Sequence, residues 1–265
     1  MELWQYPRPK DDTGIGIHWS AGVDAKAVGL PKIRELWFPE LKAMGVKWVK
    51  MLLLGGQDLA ELFLASDIMP VVRLFRRQPN STDAKRGTLG PYEVEALHQF
   101  IRLGVRDFEF NNEPNLSSEW QPGERPPDEE AAQTIVAQHA IRDMETILAA
   151  GGYPGLPATS IGCTWDLMAH IIRLGRKDLF SQPVWLAVHN YDLNHPLDYP
   201  NEPVHQQGKP LAQAEYEALG SAAWTGPNFG YRSLEFVNQQ RASGKRPGQT
   251  ILDDPSAWQA YKVAD

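Results

Sequence analysis

Residues 108–115 read Phe-Glu-Phe-Asn-Asn-Glu-Pro-Asn. An apolar, strand-like run ends in two amides and a carboxylate, and proline follows. Proline disfavours the α conformation in the residue before it, so Glu113 is expected to stay extended at the strand tip. A carboxyl held there beside amides can act as a general acid with a raised pKa, and Asn112 can bind a substrate hydroxyl. The plain alternative is an acidic turn that caps the next segment. Other side chains that can do chemistry also sit just past apolar runs: His18 and Trp19, Arg73, Trp165 and Asp166, and His189 with Tyr191.

Other chemistries find less support. His189, His195 and His205 recur in one region with Asp192 and Asp198, but their spacing matches no compact metal-ligand pattern, so no metal is assigned. No G-x-S-x-G elbow accompanies the serines. The single cysteine, Cys163, excludes an internal disulfide framework and reads as a small apolar residue at a strand end. Arg76-Arg77 and Lys85-Arg86 read as a solvated loop face.

The elements that position these residues alternate: a short apolar run, a polar loop, then an amphipathic helix. Strand-like runs cover 14–19, 47–54, 68–75, 105–110, 159–163 and 184–190. Helical spacing covers 30–44, 58–65, 91–103, 129–150 and 166–174, with further helical patterns at 211–219 and 231–242. This rhythm predicts an α/β fold with a parallel sheet. The first turn lacks G-x-G-x-x-G, so a dinucleotide site is unsupported. Polar and aromatic residues gather at the C-terminal ends of the runs, where a (β/α)8 barrel builds its active site. About six units fit in 265 residues, two short of a full barrel. The formal net charge of −7 argues against a nucleic-acid partner. No apolar run approaches the roughly 18–20 residues of a membrane span. The N-terminus shows no signal-peptide core, which leaves both a cytoplasmic protein and a secreted one with its leader removed open. Nine tryptophans suit a site that stacks on flat apolar faces such as sugar rings, with Trp19, Trp165 and Trp224 as platforms and Trp37 in the core.

At these motifs the chain resembles the (β/α)8 glycoside hydrolases of clan A, the superfamily of cellulases, β-glycosidases and xylanases, with families 5 and 39 the most similar in character. Their fourth strand ends in Asn-Glu-Pro with Glu as acid/base, matched by Asn112-Glu113-Pro114. Their sixth strand ends in a His or Tyr that supports the nucleophile, and His189-Asn190-Tyr191 is similar. The third run, Val71-Val72-Arg73-Leu74, also resembles theirs. The likeness spans about residues 14–190. It implies retaining hydrolysis of a poly- or oligosaccharide without cofactor. Glu113 would be the acid/base, with His18, Trp19, Arg73, Asn112, Trp165, Asp166, His189 and Tyr191 around the sugar.

The departure from the family lies further on. Its nucleophile is a Glu at the end of the seventh strand, and nothing after Tyr191 fits that setting. Glu202 lies in a Pro-flanked loop, and Glu215, Glu217 and Glu235 lie in helical patterns. The run 249–254 is the only late strand-like segment, with Asp253 or Asp254 at its tip. The expectation is one barrel domain over 1–265, truncated before its last two strands. Such a chain would be inactive alone and prone to self-association through an open edge. The rival readings are a non-catalytic carbohydrate-binding barrel and a metal-dependent barrel hydrolase.

Overall fold

The computed structural model describes residues 6, 8–19, 28–160 and 163–189. The helices expected at 211–219 and 231–242, the run 249–254, Tyr191 and the carboxylates beyond it lie outside the described residues. The chain divides into two compact units, Met1–Thr159 with Trp165–Ala187, and Ser160–Thr164 with Val188–Asp265.

The first unit is an α/β layer. Six strands, β1 (Gly16–His18), β2 (Trp48–Leu52), β3 (Met69–Arg73), β4 (Asp107–Glu109), β5 (Tyr153–Leu156) and β6 (Trp185–Leu186), form one all-parallel sheet in the order β1-β2-β3-β4-β5-β6. Among the described residues, seven α-helices run between them: α1 (Leu30–Leu36), α2 (Phe38–Ala43), α3 (Gln57–Leu64), α4 (Ala84–Gly87), α5 (Pro91–Leu103), α6 (Glu129–Ala149) and α7 (Leu167–Arg173). A doubly wound sheet reverses its strand order at a switch point, and this one does not. With right-handed crossovers, a monotonic order puts every helix on one face and curls the sheet into a half-barrel.

Strand alternation sorts the side chains accordingly. Val49, Met51, Val72, Phe108 and Leu156 join the helix residues Leu59, Phe63, Leu97, Phe100, Val136 and Met144 in one core. Each large apolar side chain buried there contributes roughly 1.5–3 kcal/mol. The alternate positions form rows on the other face. One row is His18, Lys50, Val71, Asp107 and Tyr153; the next is Leu52, Arg73, Glu109, Gly155 and Trp185.

The two longest helices follow from local signals. Pro91 opens α5, the Glu93 side chain accepts from the Gly90 N–H at 2.9 Å, and Gly104 closes the helix with φ 107°. The Asp128 side chain caps α6 at the Ala131 N–H, 2.8 Å away. Ala132, Val136, Ala140, Met144 and Ile147 then line its buried face at helical spacing.

Two expectations about the elements need correction. The helix expected over 30–44 is broken at Trp37 into α1 and α2, because Pro39 cannot donate a hydrogen bond and crowds the preceding turn. The break leaves Trp37 43% exposed, not in the core. The fifth strand is Tyr153–Leu156, not 159–163. Pro154 and Gly155 disguise it as a turn. Tyr153 donates to the Arg106 carbonyl on the β4 side, so the Pro154 nitrogen faces β6, whose pairing begins only at Gly155. No ladder donor is needed there, and proline fits. Pro70 in β3 follows the same rule: Met69 donates toward β2, and pairing with β4 starts only at Val71.

Candidate functional site

Because the strands are parallel, the positions following β1, β3 and β4 share the C-terminal rim of the sheet. His18 ends β1 and is exposed, Arg73 ends β3, and the Asn112-Glu113 pair follows β4. The charged residues beside this rim form a group in which the carboxylate is buried and the two cations are half-buried. Glu109 on β4 is 5% exposed. One of its oxygens, Oε2, lies 2.7 Å from Lys50 Nζ on β2 and accepts from Arg73 Nε at 2.9 Å. Burial pulls the Lys50 ammonium below its usual pKa, and the charges of Glu109 and Glu113 oppose that shift. The Glu113 carboxylate therefore lies within electrostatic reach of Lys50.

Lys50 and Glu109 are absent from the site read off the sequence. Their signal was a lone charge inside an apolar strand, Trp-Val-Lys-Met-Leu and Phe-Glu-Phe, at the positions that alternate with the core residues. A charge there faces away from the helices, and the register brings the two charges together across β3.

The backbone at Glu113 differs from expectation. β4 ends at Glu109, and Glu113 has φ 36°, in the left-handed region that a side-chain-bearing residue adopts at a cost of about 1–2 kcal/mol. Two bonds hold it there. Its N–H donates to the Ala158 carbonyl after β5 at 3.0 Å, and its carbonyl accepts from Leu116 N–H at 2.9 Å. The chain thus turns at Glu113 instead of running straight. The residue is 9% exposed.

Amides brace the turn. Asn111 Nδ2 donates to Asn80 Oδ1 at 2.8 Å, and Asn111 Oδ1 accepts the Asn112 N–H at 2.7 Å. Asn80 Nδ2 donates to the Glu119 carbonyl at 2.9 Å, and Trp120 Nε1 donates to the Pro114 carbonyl at 2.7 Å. Asn112 Nδ2 reaches Glu119 Oε1 at 2.8 Å. The loop after β3 is thereby sewn to the loop after β4. A deeper tie comes from Arg76, whose Nη2 donates to the Phe110 carbonyl at 3.2 Å and to Asp143 Oδ2 on α6 at 3.3 Å. Burial pushes Asp143 up to about 7 even so. A cavity of about 40 Å3 lies among Arg73, Phe75, Arg76, Asn111, Asn112 and Glu119, enough for water and too small for a sugar ring.

The remaining expected residues are placed as follows. Trp19 is 6% exposed, with its ring edge-on to Trp37 and Phe63 at 5.8 and 5.1 Å between centroids. Trp165 donates from Nε1 to Glu129 Oε2 at 2.8 Å and carries the Arg125 guanidinium 5.9 Å from its ring centroid. The Asp166 side chain accepts from the Ala169 N–H at 2.8 Å as the cap of α7. The structure brings together Arg73 and the newly found Lys50 and Glu109, with Glu113 in electrostatic range; Asn112 turns toward Glu119. His189 belongs to the second unit, and Tyr191 lies outside the described residues. No family model and no curated protein matches the chain.

Proposed function

We propose that the half-barrel belongs to a (β/α)8-type barrel and that the protein is a retaining glycoside hydrolase acting on an oligo- or polysaccharide, with Glu113 as general acid/base. The observation that carries this reading is the backbone of Glu113: a buried carboxyl residue in a costly left-handed conformation past the end of β4, over-determined by two backbone bonds and a braced amide network. Strain that the surroundings hold in place accumulates at functional sites. In the proposed chemistry, Glu113 protonates the departing glycosidic oxygen. A second carboxylate roughly 5–5.5 Å away attacks the anomeric carbon, and Glu113 then takes a proton from the water that releases the sugar. Glu109 is a poor choice for that second carboxylate, since Lys50 and Arg73 both hold its Oε2. Its part is to anchor two cations beneath the rim.

The test compares two leaving groups in the protein as the cell makes it. Glu113→Gln is expected to abolish most turnover of an alkyl glycoside or β-glucan, whose leaving group needs a proton. It should spare glycosylation by a dinitrophenyl glycoside, whose leaving group needs none. Equal losses on both substrates would remove the acid/base assignment.

A further inference from the structure

A second cavity opens at the other rim, where the strands begin. It measures about 380 Å3 and is lined by Tyr6, Arg8, Asp12, Trp48, Asp107 and Trp185 together with Val71, all in the first unit. That volume falls within the range of small-ligand sites. We propose that this cavity binds a small organic ammonium compound, with the charged nitrogen on Asp107 and the apolar body against the rings of Trp48 and Trp185.

The three carboxylates nearby are treated very differently. Glu109, two residues along the same strand face, holds two cations. Asp12 Oδ1 accepts from Gly14 N–H at 2.9 Å and Trp48 Nε1 at 2.8 Å, and its Oδ2 lies 4.0 Å from Arg8. Asp107 is 4% exposed, and its Oδ2 accepts no hydrogen bond. A buried oxygen without a donor is costly, and such groups are rare in folded proteins. The Tyr6 hydroxyl, on the same cavity wall, is also buried without a partner. An ammonium group has three donors, enough for both oxygens. Burial pushes Asp107 up to about 7, and an adjacent cation draws a carboxyl back toward its ionised form.

The two indoles are fixed for stacking. Trp48 Nε1 is committed to Asp12 and Trp185 Nε1 to the Tyr153 carbonyl at 2.9 Å, so what remains for a ligand is ring surface. Gly155 sets the place of one ring: a Cβ there would come 2.6 Å from Trp185 Cζ2. Aromatic faces beside a carboxylate attract a cation attached to a flat apolar body.

Isothermal titration of the full chain with benzylamine and with benzyl alcohol, its uncharged counterpart, tests the proposal. Benzylamine is expected to bind one per chain, with a change in tryptophan emission, at least about tenfold more tightly than the alcohol. Asp107→Asn should erase that preference, and Gly155→Ala should weaken benzylamine binding by displacing the Trp185 ring. Equal affinity for the two compounds, a preference that survives Asp107→Asn, or no saturable binding of either would overturn the assignment. Should Asp107→Asn fail to fold, Gly155→Ala decides: unchanged benzylamine binding refutes the site, and weakened binding supports it.

Discussion

The buried Asp107 makes a quantitative demand on stability. Its pKa rises from 3.8 to about 7 in the folded chain, and desolvation is the cause. A raised carboxyl pKa means that the native state holds the proton more tightly than the unfolded chain does. The associated stability is therefore complete below about pH 4, is lost as pH climbs, and levels off above about 7. Three pKa units correspond to about 4 kcal/mol as a ceiling, and local relaxation lowers the expectation to roughly 2–3 kcal/mol. Asparagine has the shape of the protonated acid and never ionises. Asp107→Asn should match the wild type near pH 4 and exceed it by roughly 2–3 kcal/mol near pH 8. Urea melts of both proteins, taken at intervals between these limits, give the difference directly. Asp143 is raised to about 7 as well, but it is present in both proteins and cancels. A stability difference independent of pH, or one that favours the wild type at pH 8, would refute the desolvation argument.

Three more expectations follow from particular contacts. Asparagine tolerates the left-handed region better than glutamine, so Glu113→Asn should be more stable than the equally uncharged Glu113→Gln by up to about 1 kcal/mol; equal stability in denaturant melts, or a less stable Asn variant, would contradict strain at φ 36°. A Cβ on Gly87 would sit 2.2 Å from the His139 ring, so Gly87→Ala should cost about 1–3 kcal/mol in the wild-type background and far less when His139 is alanine, as a double-mutant cycle would show. Asp166→Ala should cost about 1 kcal/mol through loss of the α7 cap and leave KM unchanged; a raised KM at full stability would make Asp166 a substrate ligand instead.

What could be read from the chain alone depended on whether the cause was local. Pro91, Glu93 and Gly104 carry the start and stop of α5 within a few residues, and the structure places that helix over 91–103, as the spacing predicts. The parallel α/β layout was legible for the same reason, since each unit repeats its own periodicity. β5 was not, because Pro154 and Gly155 are allowed only by facts outside the strand: a late start to β6 pairing and the Trp185 ring lying over Gly155. The Glu113 carboxylate stands out in the sequence by its setting, but its conformation does not. Pro114 disfavours the helical region, and the turn is imposed by the Ala158 carbonyl from the next unit. Lys50 and Glu109 lie 59 positions apart in sequence and meet only through the register of three strands. Charge pairs of that kind are set by topology, which local periodicity does not encode.

The role of Glu113 is tested most directly by azide interception in Glu113→Ala, using the protein as the cell makes it and a dinitrophenyl glycoside as substrate. Without a general base, water attacks the glycosyl–enzyme slowly, whereas azide needs no proton removed. The account predicts slow turnover that azide accelerates, with a glycosyl azide of retained anomeric configuration visible by NMR. An azide product of inverted configuration, or no acceleration at all, would contradict it.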